Sequence, residues 1–380
     1  PSSAASDVYK RQRFPAASEE AARAAIESFI DRHAIREGFA ALACGTDILF
    51  HEVLRDRGIR RCAILPFPEK DFVRESVGRP GAEDWTERFE ELWRGAERAQ
   101  VAARHRFAWN GLGYEFGNEV LTGLALLEAD ALGSSVLGFA LWDGRRGDGR
   151  GGTESMLRLW AAPTSGIETE IVDPATFMAD APARSPVPLS APPSDSPVLA
   201  VGDATIMALL FADARGFSSL GEEGTNAFAT DFLDLMAEVA GRFDAHIFER
   251  NTWGDALFLA MTDVEAAGQL ALELCRAIED ARPRLEAAGL PPEIGLRLGL
   301  HAAPVRLLVD PIRDQLRVSG AQISAAARIE PITPPGYVYA SEAFAALSRT
   351  RGATGYTCRY VGETELAKDY GRERVYVLED

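Results

Sequence analysis

The stretch TIMALLFADARGFSSLGEEGTNAFATDFLDLMAEVAGRFDAHIFERNTWGDALFLAM, Thr205–Met261, decides how the second half of this chain folds. TIMALLFAD is an apolar run of strand length ending on Asp213. NAFATDFLDLMAEVAGRF repeats its apolar residues at helical spacing, and AHIFERNTWGDALFLAM reads as a hairpin with Asp255 just after its Gly254 turn. Further out, VEAAGQLALELCRAIEDARPRLEAAG reads as a longer helix, GLRLGLHAAPV as a strand and Gln322–Ile329 as a short helix. GYVYAS and ERVYVL are late strands. Strand, helix, two strands, helix, strand is the split βαβ order of an α+β, ferredoxin-like sheet. Asp213 and Asp255 then emerge at the same end of neighbouring strands, which suits a pair of divalent cations shared with substrate phosphates. A single aspartate at such a place merely caps a turn; the paired context points to phosphoryl chemistry.

Upstream, between Ala181 and Leu199, six of nineteen residues are proline, so 181–199 reads as a semi-rigid linker between residues 18–170 and 200–380. In the first of these segments SEEAARAAIESFIDRHA (Ser18–Ala34), DILFHEVLRDRG, WTERFEELWRGAERAQVAAR and EFGNEVLTGLALLEADALG have helical period. GFAALACG, RCAILPF and SVLGFALWDG are compact enough for buried strands. The alternation predicts a parallel sheet covered by helices, a Rossmann-like three-layer α/β domain. Residues 1–12, PSSAASDVYKRQ, differ in character from the rest of the chain and read as translated adapter sequence or a disordered tail, outside the fold.

The 380 residues, 47% of them hydrophobic, match two or three soluble domains. With 57 acidic against 40 basic residues the net charge is −17, a field that repels a phosphate backbone and argues against nucleic acid as partner. No window holds about 18 uninterrupted apolar residues and no basic segment precedes an apolar one at the start, so neither a membrane span nor a secretion signal is expected, and a cytoplasmic setting fits. Cys44, Cys62, Cys275 and Cys358 form no CxxC pair and read as reduced core thiols. His33, His51, His105, His246 and His301 lack metal-ligand spacing and read as structural imidazoles.

Taken in order, FADARGFSSLGEE, NTWGDALF, LRLGLHAAPV, SGAQISAAARIEPITPPGYVYAS and ELAKDYGRERVYVL resemble the five motifs of the class III nucleotide cyclases, the adenylate and guanylate cyclase catalytic domain, over Thr205–Glu379. The resemblance implies that Asp213 and Asp255 hold two Mg²⁺ or Mn²⁺ ions with the carbonyl of Ala214 assisting. It also implies that the amides after Asp213, around Gly216 and Phe217, meet a triphosphate. Gly216 permits close backbone approach there, and a helix begins soon after. Arg328 corresponds to the arginine that stabilises charge on the reacting phosphate, Ser324 stands where an asparagine directs the ribose, and Lys368 matches the terminal lysine that neutralises the triphosphate, although the extra Ala367 before it shifts register. The family builds its sites between two such domains, so a head-to-tail homodimer with active sites at the interface is implied. The expected activity is a phosphorus-oxygen lyase that makes a 3′,5′-cyclic nucleotide and pyrophosphate from a nucleoside triphosphate, regulated by the N-terminal domain. The alternative is a pseudo-cyclase that binds nucleotide or only dimerises.

Several positions depart from the family. Adenylate cyclases read adenine with a lysine at the position of Asn251 and an aspartate near that of Arg317, and guanylate cyclases use glutamate and often cysteine; this chain has neither pair. Asn251 both donates and accepts whereas Arg317 only donates, which favours a base edge rich in carbonyl acceptors over adenine's amino edge, uracil or cytosine included. Loss of base selection, or a loop register that hides the real determinant, is the other account. HAAPV also lacks the glycine of the family's HxGxV.

In the N-terminal half, LWDGRRGDGRGGTESMLRLW runs from a strand into a helix, so Gly149, Gly151, Gly152 and Thr153 can form an anion-binding turn. Together with CGTDILFHE it resembles the LOG/DprA-like (SLOG) Rossmannoid domains, which sense or process nucleotide-derived ligands, over about Glu37–Trp160. A flexible connection is the plainer reading of such a loop.

Overall fold

Glu37–Ala40 (β1), Arg60–Leu65 (β2) and Arg98–Val101 (β3) pair in parallel in the order β1-β2-β3, and Leu137–Leu141 (β4) pairs in parallel with Glu168–Val172 (β5). The computed structural model describes residues 16–78, 83–107, 111–144, 150–177, 199–366 and 370–380. The tail and almost all of the proline-rich segment lie outside them. The chain divides into two compact units between Asp195 and Ser196. Among the described residues no helix is long and apolar enough to cross a membrane.

In the first unit, helices Ala16–His33, Thr46–Asp56, Glu83–Arg94, Leu112–Leu132 and Thr153–Trp160 alternate with the strands. β2 is buried from Arg61 to Leu65, the continuous apolar run of a strand covered on both faces. One core gathers Leu42, Ala63, Leu65, Phe67, Phe72 and Phe89; another gathers Ile26, Phe29, Leu49 and Val53, with Phe139 of β4 against it. Two sequence expectations change. The helix read over WTERFEELWRGAERAQVAAR stops at Arg94, where Gly95 donates its amide to Glu91 O at 3.1 Å, and RAQV becomes β3 because its backbone completes the ladder of β2. The single sheet expected is, among the described residues, two parallel sheets that are not hydrogen-bonded to each other. His51 is fully buried, and burial pushes its imidazole down to about 4, so it stays neutral in the core as expected of a structural histidine.

Among the described residues of the second unit, eight strands form one sheet, with helices packed against it. Ala204–Arg215 (β6), Ile247–Trp253 (β7), Ala256–Met261 (β8) and Gly295–Asp310 (β9) run antiparallel in the order β9-β6-β8-β7, the split βαβ arrangement read from the sequence. Gln315–Ser319 (β10) folds back on β9, and Val338–Ser341 (β11), Gly371–Glu379 (β13) and Thr357–Leu366 (β12) extend the sheet beyond it. The helix Val264–Ala287 starts where the Asp263 carboxylate accepts the Ala266 amide at 2.7 Å. It buries Val264, Ala267, Leu270, Ala271, Leu274 and Ile278 at helical spacing. The strands β10 and β12 and the helix Glu342–Arg351 come in addition to the elements expected from sequence.

Candidate active site

A continuous apolar run makes β6 an inner strand of the sheet, buried without a break from Ile206 to Leu210 between β9 and β8, and this fixes where its last residues come out. Asp213 lies opposite Ala256 of β8 on one side and Arg297 of β9 on the other. Trp253 and Ala256 close the β7–β8 hairpin, leaving Gly254 and Asp255 as its two-residue turn, with Gly254 at φ 64°. Asp255 is therefore one residue from Asp213's partner, and its carbonyl accepts the Ala214 amide at 3.2 Å. Burial first, and then the Asp213 charge, hold the Asp255 carboxyl above the ordinary carboxylate range, against its own backbone amide and Arg297.

Two residues that sequence reasoning missed complete this end of the sheet. The Arg297 guanidinium is hydrogen-bonded to the Asp213 carboxylate. Its Nε approaches Glu330 Oε1 at 2.9 Å, close enough for an ion pair but not aligned as a hydrogen bond. Glu330, its side chain 13% exposed, is pushed up to about 7 by burial, against Arg297 and with the help of Asp213 and Asp255. Gly299 makes the approach possible: a Cβ there would lie 2.6 Å from the Glu330 amide nitrogen. Gly299→Ala should therefore cost about 1–3 kcal/mol, read as a lowered urea midpoint; an unchanged midpoint would mean that β9 and the Glu330 segment part freely.

The sign of the Glu330 shift gives a pH dependence. Its folded value is raised above an unfolded value near 4.5, so its contribution to stability is complete below about pH 4.5 and is lost as pH rises through 7. Relative to Glu330→Gln, the wild type should lose up to about 3 kcal/mol across that window in metal-free buffer. Parallel pH–stability curves for the two proteins would contradict this.

After Asp213 the chain turns through Gly216 at φ 92° into a single 3₁₀ turn, Phe217–Ser219; the α-helix starts only at Glu222, with Glu222 and Glu223 in its first turn. The amides nearest Asp213 are thus those of a tight turn rather than a helix N-terminus. Phe217 is pinned there by Phe228, ring centroids 4.7 Å apart.

Asn251, 8% exposed, sits on β7 with its Oδ1 accepting from Arg313 Nη1 at 3.2 Å. Two residues earlier on the strand, Glu249 accepts the Val318 amide at 2.6 Å, so these two β7 side chains both engage the β9–β10 hairpin that carries Arg317. Arg317 is paired with Asp310 at 2.8 Å. Ser324 is exposed on the helix Gln322–Ile329 and Arg328 is one turn further, half-buried, its Nε buried with no hydrogen-bond partner among the described residues. No hydrogen bond or ion pair among the described residues joins Ser324 or Arg328 to Asp213 or Asp255. Lys368 lies outside the described residues. Asp213, Ala214 and Asp255 are thus brought together, and Asn251 and Arg317 share a second location.

In the N-terminal unit Gly149 lies outside the described residues. Gly151 has φ 83°, Gly152 precedes the helix and Thr153 opens it. A Cβ on Gly151 would fall 2.2 Å from Tyr114 Cβ, and Asn118 Nδ2 donates to Gly151 O at 3.1 Å. This glycine is explained by packing on the helix Leu112–Leu132.

Asp213 and Asp255 offer two carboxylates. Among the described residues no group of three or more His, Cys, Asp or Glu is arranged to hold a metal ion. No protein-family model matches the sequence, and no curated protein matches it. Solved structures similar to this chain include the adenylyl cyclase CyaB from P. aeruginosa, at 18% identity and TM-score 0.41, covering 47% of this chain and 96% of that one. Others are the guanylate cyclase domain of RhGC from Catenaria anguillulae in complex with GTP, at 17%, 0.39, 46% and 96%, and the guanylyl cyclase Cya2, at 22%, 0.39, 47% and 94%.

Proposed function

We propose that the second unit is a metal-dependent nucleotide cyclase that converts a nucleoside triphosphate into a 3′,5′-cyclic nucleotide and pyrophosphate. The observation that carries the reading is the convergence of Asp213 and Asp255 at one end of the sheet, where burial and the Asp213 charge both disfavour the ionised form of Asp255 and so favour a cation beside it. Such a pair fits hard cations that take few protein carboxylates and complete their coordination with substrate phosphates. Bound there, divalent ions lower the pKa of a hydroxyl and stabilise the leaving oxygen of an in-line displacement.

The chain's own groups divide the remaining work. Arg297 neutralises Asp213 and is the cation that must give way when another occupies the carboxylate. Arg328, whose Nε has no partner among the described residues, is free to make a two-pronged contact with a phosphate. The 3′ hydroxyl gives its proton to solvent and its oxygen bonds to the α-phosphorus, whose bond to the bridging oxygen breaks as pyrophosphate leaves with that oxygen. In this reading the site is shared between two chains in a head-to-tail dimer, with the aspartates from one chain and Arg328 from the other. In this reading the N-terminal unit regulates the enzyme. The test is incubation of the purified chain with Mn²⁺ and each of the four nucleoside triphosphates, with products identified by mass spectrometry. A cyclic nucleotide plus pyrophosphate is expected, and no cyclic product from any of the four would refute the proposal.

A further inference from the structure

Asn251 is a buried amide whose orientation is decided chemically. Arginine has five N–H donors and no acceptor, so the atom of Asn251 that meets Arg313 Nη1 at 3.2 Å is the carbonyl oxygen. The Nδ2 amino group makes no hydrogen bond to a described residue. Asp310 holds this arrangement in place. Its Oδ1 accepts the amides of Ile312 at 2.9 Å and Arg313 at 3.4 Å, which builds the turn that carries Arg313, while its Oδ2 pairs with Arg317 at 2.8 Å. With its carbonyl oxygen engaged by Arg313, the group that the Asn251 amide has left to offer is its amino donor.

We propose that Arg313 is a positioning residue that sets base choice: by holding Oδ1 of Asn251 it turns the amino group outward, so the site takes a triphosphate whose base presents a carbonyl oxygen there. Guanine and uracil share that keto edge, whereas adenine and cytosine present an amino group, which would leave donor facing donor. The inference rests on the cyclase reading in bringing the base to Asn251, and it adds a residue 62 positions away in the chain that nothing in the strand itself points to.

The test uses the full chain, with turnover and calorimetric binding of ATP, CTP, GTP and UTP measured separately. The GTP and UTP arms identify which keto base is used. In Arg313→Glu an acceptor faces the amide, Asn251 turns its amino group inward, and preference should move towards ATP and CTP by about tenfold or more. Arg313→Lys, still a donor, should keep the wild-type order, and Arg313→Ala should bring the four towards parity. A wild type that prefers ATP, an order unchanged in Arg313→Glu, or loss of keto binding with no gain for ATP and CTP overturns the inference while leaving the cyclase reading intact. Keto-selective binding that inverts without any turnover sustains the inference and removes the cyclase reading. No binding of any triphosphate removes both.

Discussion

Asp213→Asn and Asp255→Asn should each lower cyclic product formation by about a thousandfold or more, several kcal/mol of transition-state stabilisation. One remaining carboxylate cannot keep two cations in reacting geometry, and neither asparagine supplies the missing charge. Folding should survive both changes for a specific reason. Asp255 is charged against the pull of burial and of Asp213, so a neutral side chain of the same shape relieves repulsion there. Asp213→Asn loses its partner in Arg297, but Arg297 keeps Glu330 beside it. The measurement is initial rate with Mn²⁺ alongside a thermal unfolding curve for each variant. Cyclic product at the wild-type rate from either folded variant would eliminate the mechanism.

Mixing Asp213→Ala with Arg328→Ala chains should restore turnover that neither variant has alone. If each site draws its aspartates from one chain and its arginine from the other, a mixed dimer contains one site with both lesions and one with neither. Random assortment then gives about a quarter of wild-type activity. Verified mixed dimers that stay inactive, beside an active wild type, would put both residues in one site per chain.

The antiparallel core of the second unit is legible in the sequence because each of its strands is a distinct apolar run and the helices between them carry a clear period. That is enough to bring Asp213 and Asp255 to one end. β12 is not legible: TCRYVGETEL lies at the sheet's edge with most of its residues exposed or half-buried, and it alternates too weakly to mark a strand. Arg297 stands between Leu296 and Leu298 in an otherwise apolar run, and the antiparallel register of β6 and β9 is the signal that would have set it opposite Asp213. Glu330 reads as a surface charge after a helix because nothing local shows that Gly299 lets it come close. In the first unit RAQV continues a helical charge pattern, and only its pairing with β2 makes it a strand.

The long reach of β6 has a consequence for biosynthesis. Asp213 meets Arg297 across 84 residues, and β6 has β9 along its whole length on one edge. While the chain is being made, β6 can pair with β8 early, but its other edge stays open until β9 has emerged from the ribosome. Contacts this distant in sequence form slowly and leave an apolar strand edge available to other chains in the meantime. In the first unit, β1 and β2, and then β2 and β3, are close in sequence, so their ladders can close well before that. Closure of this edge of β6 therefore waits for the synthesis of β9, and nascent chains that stop before Gly295 expose Met207, Leu209 and the uncompensated Asp213 together.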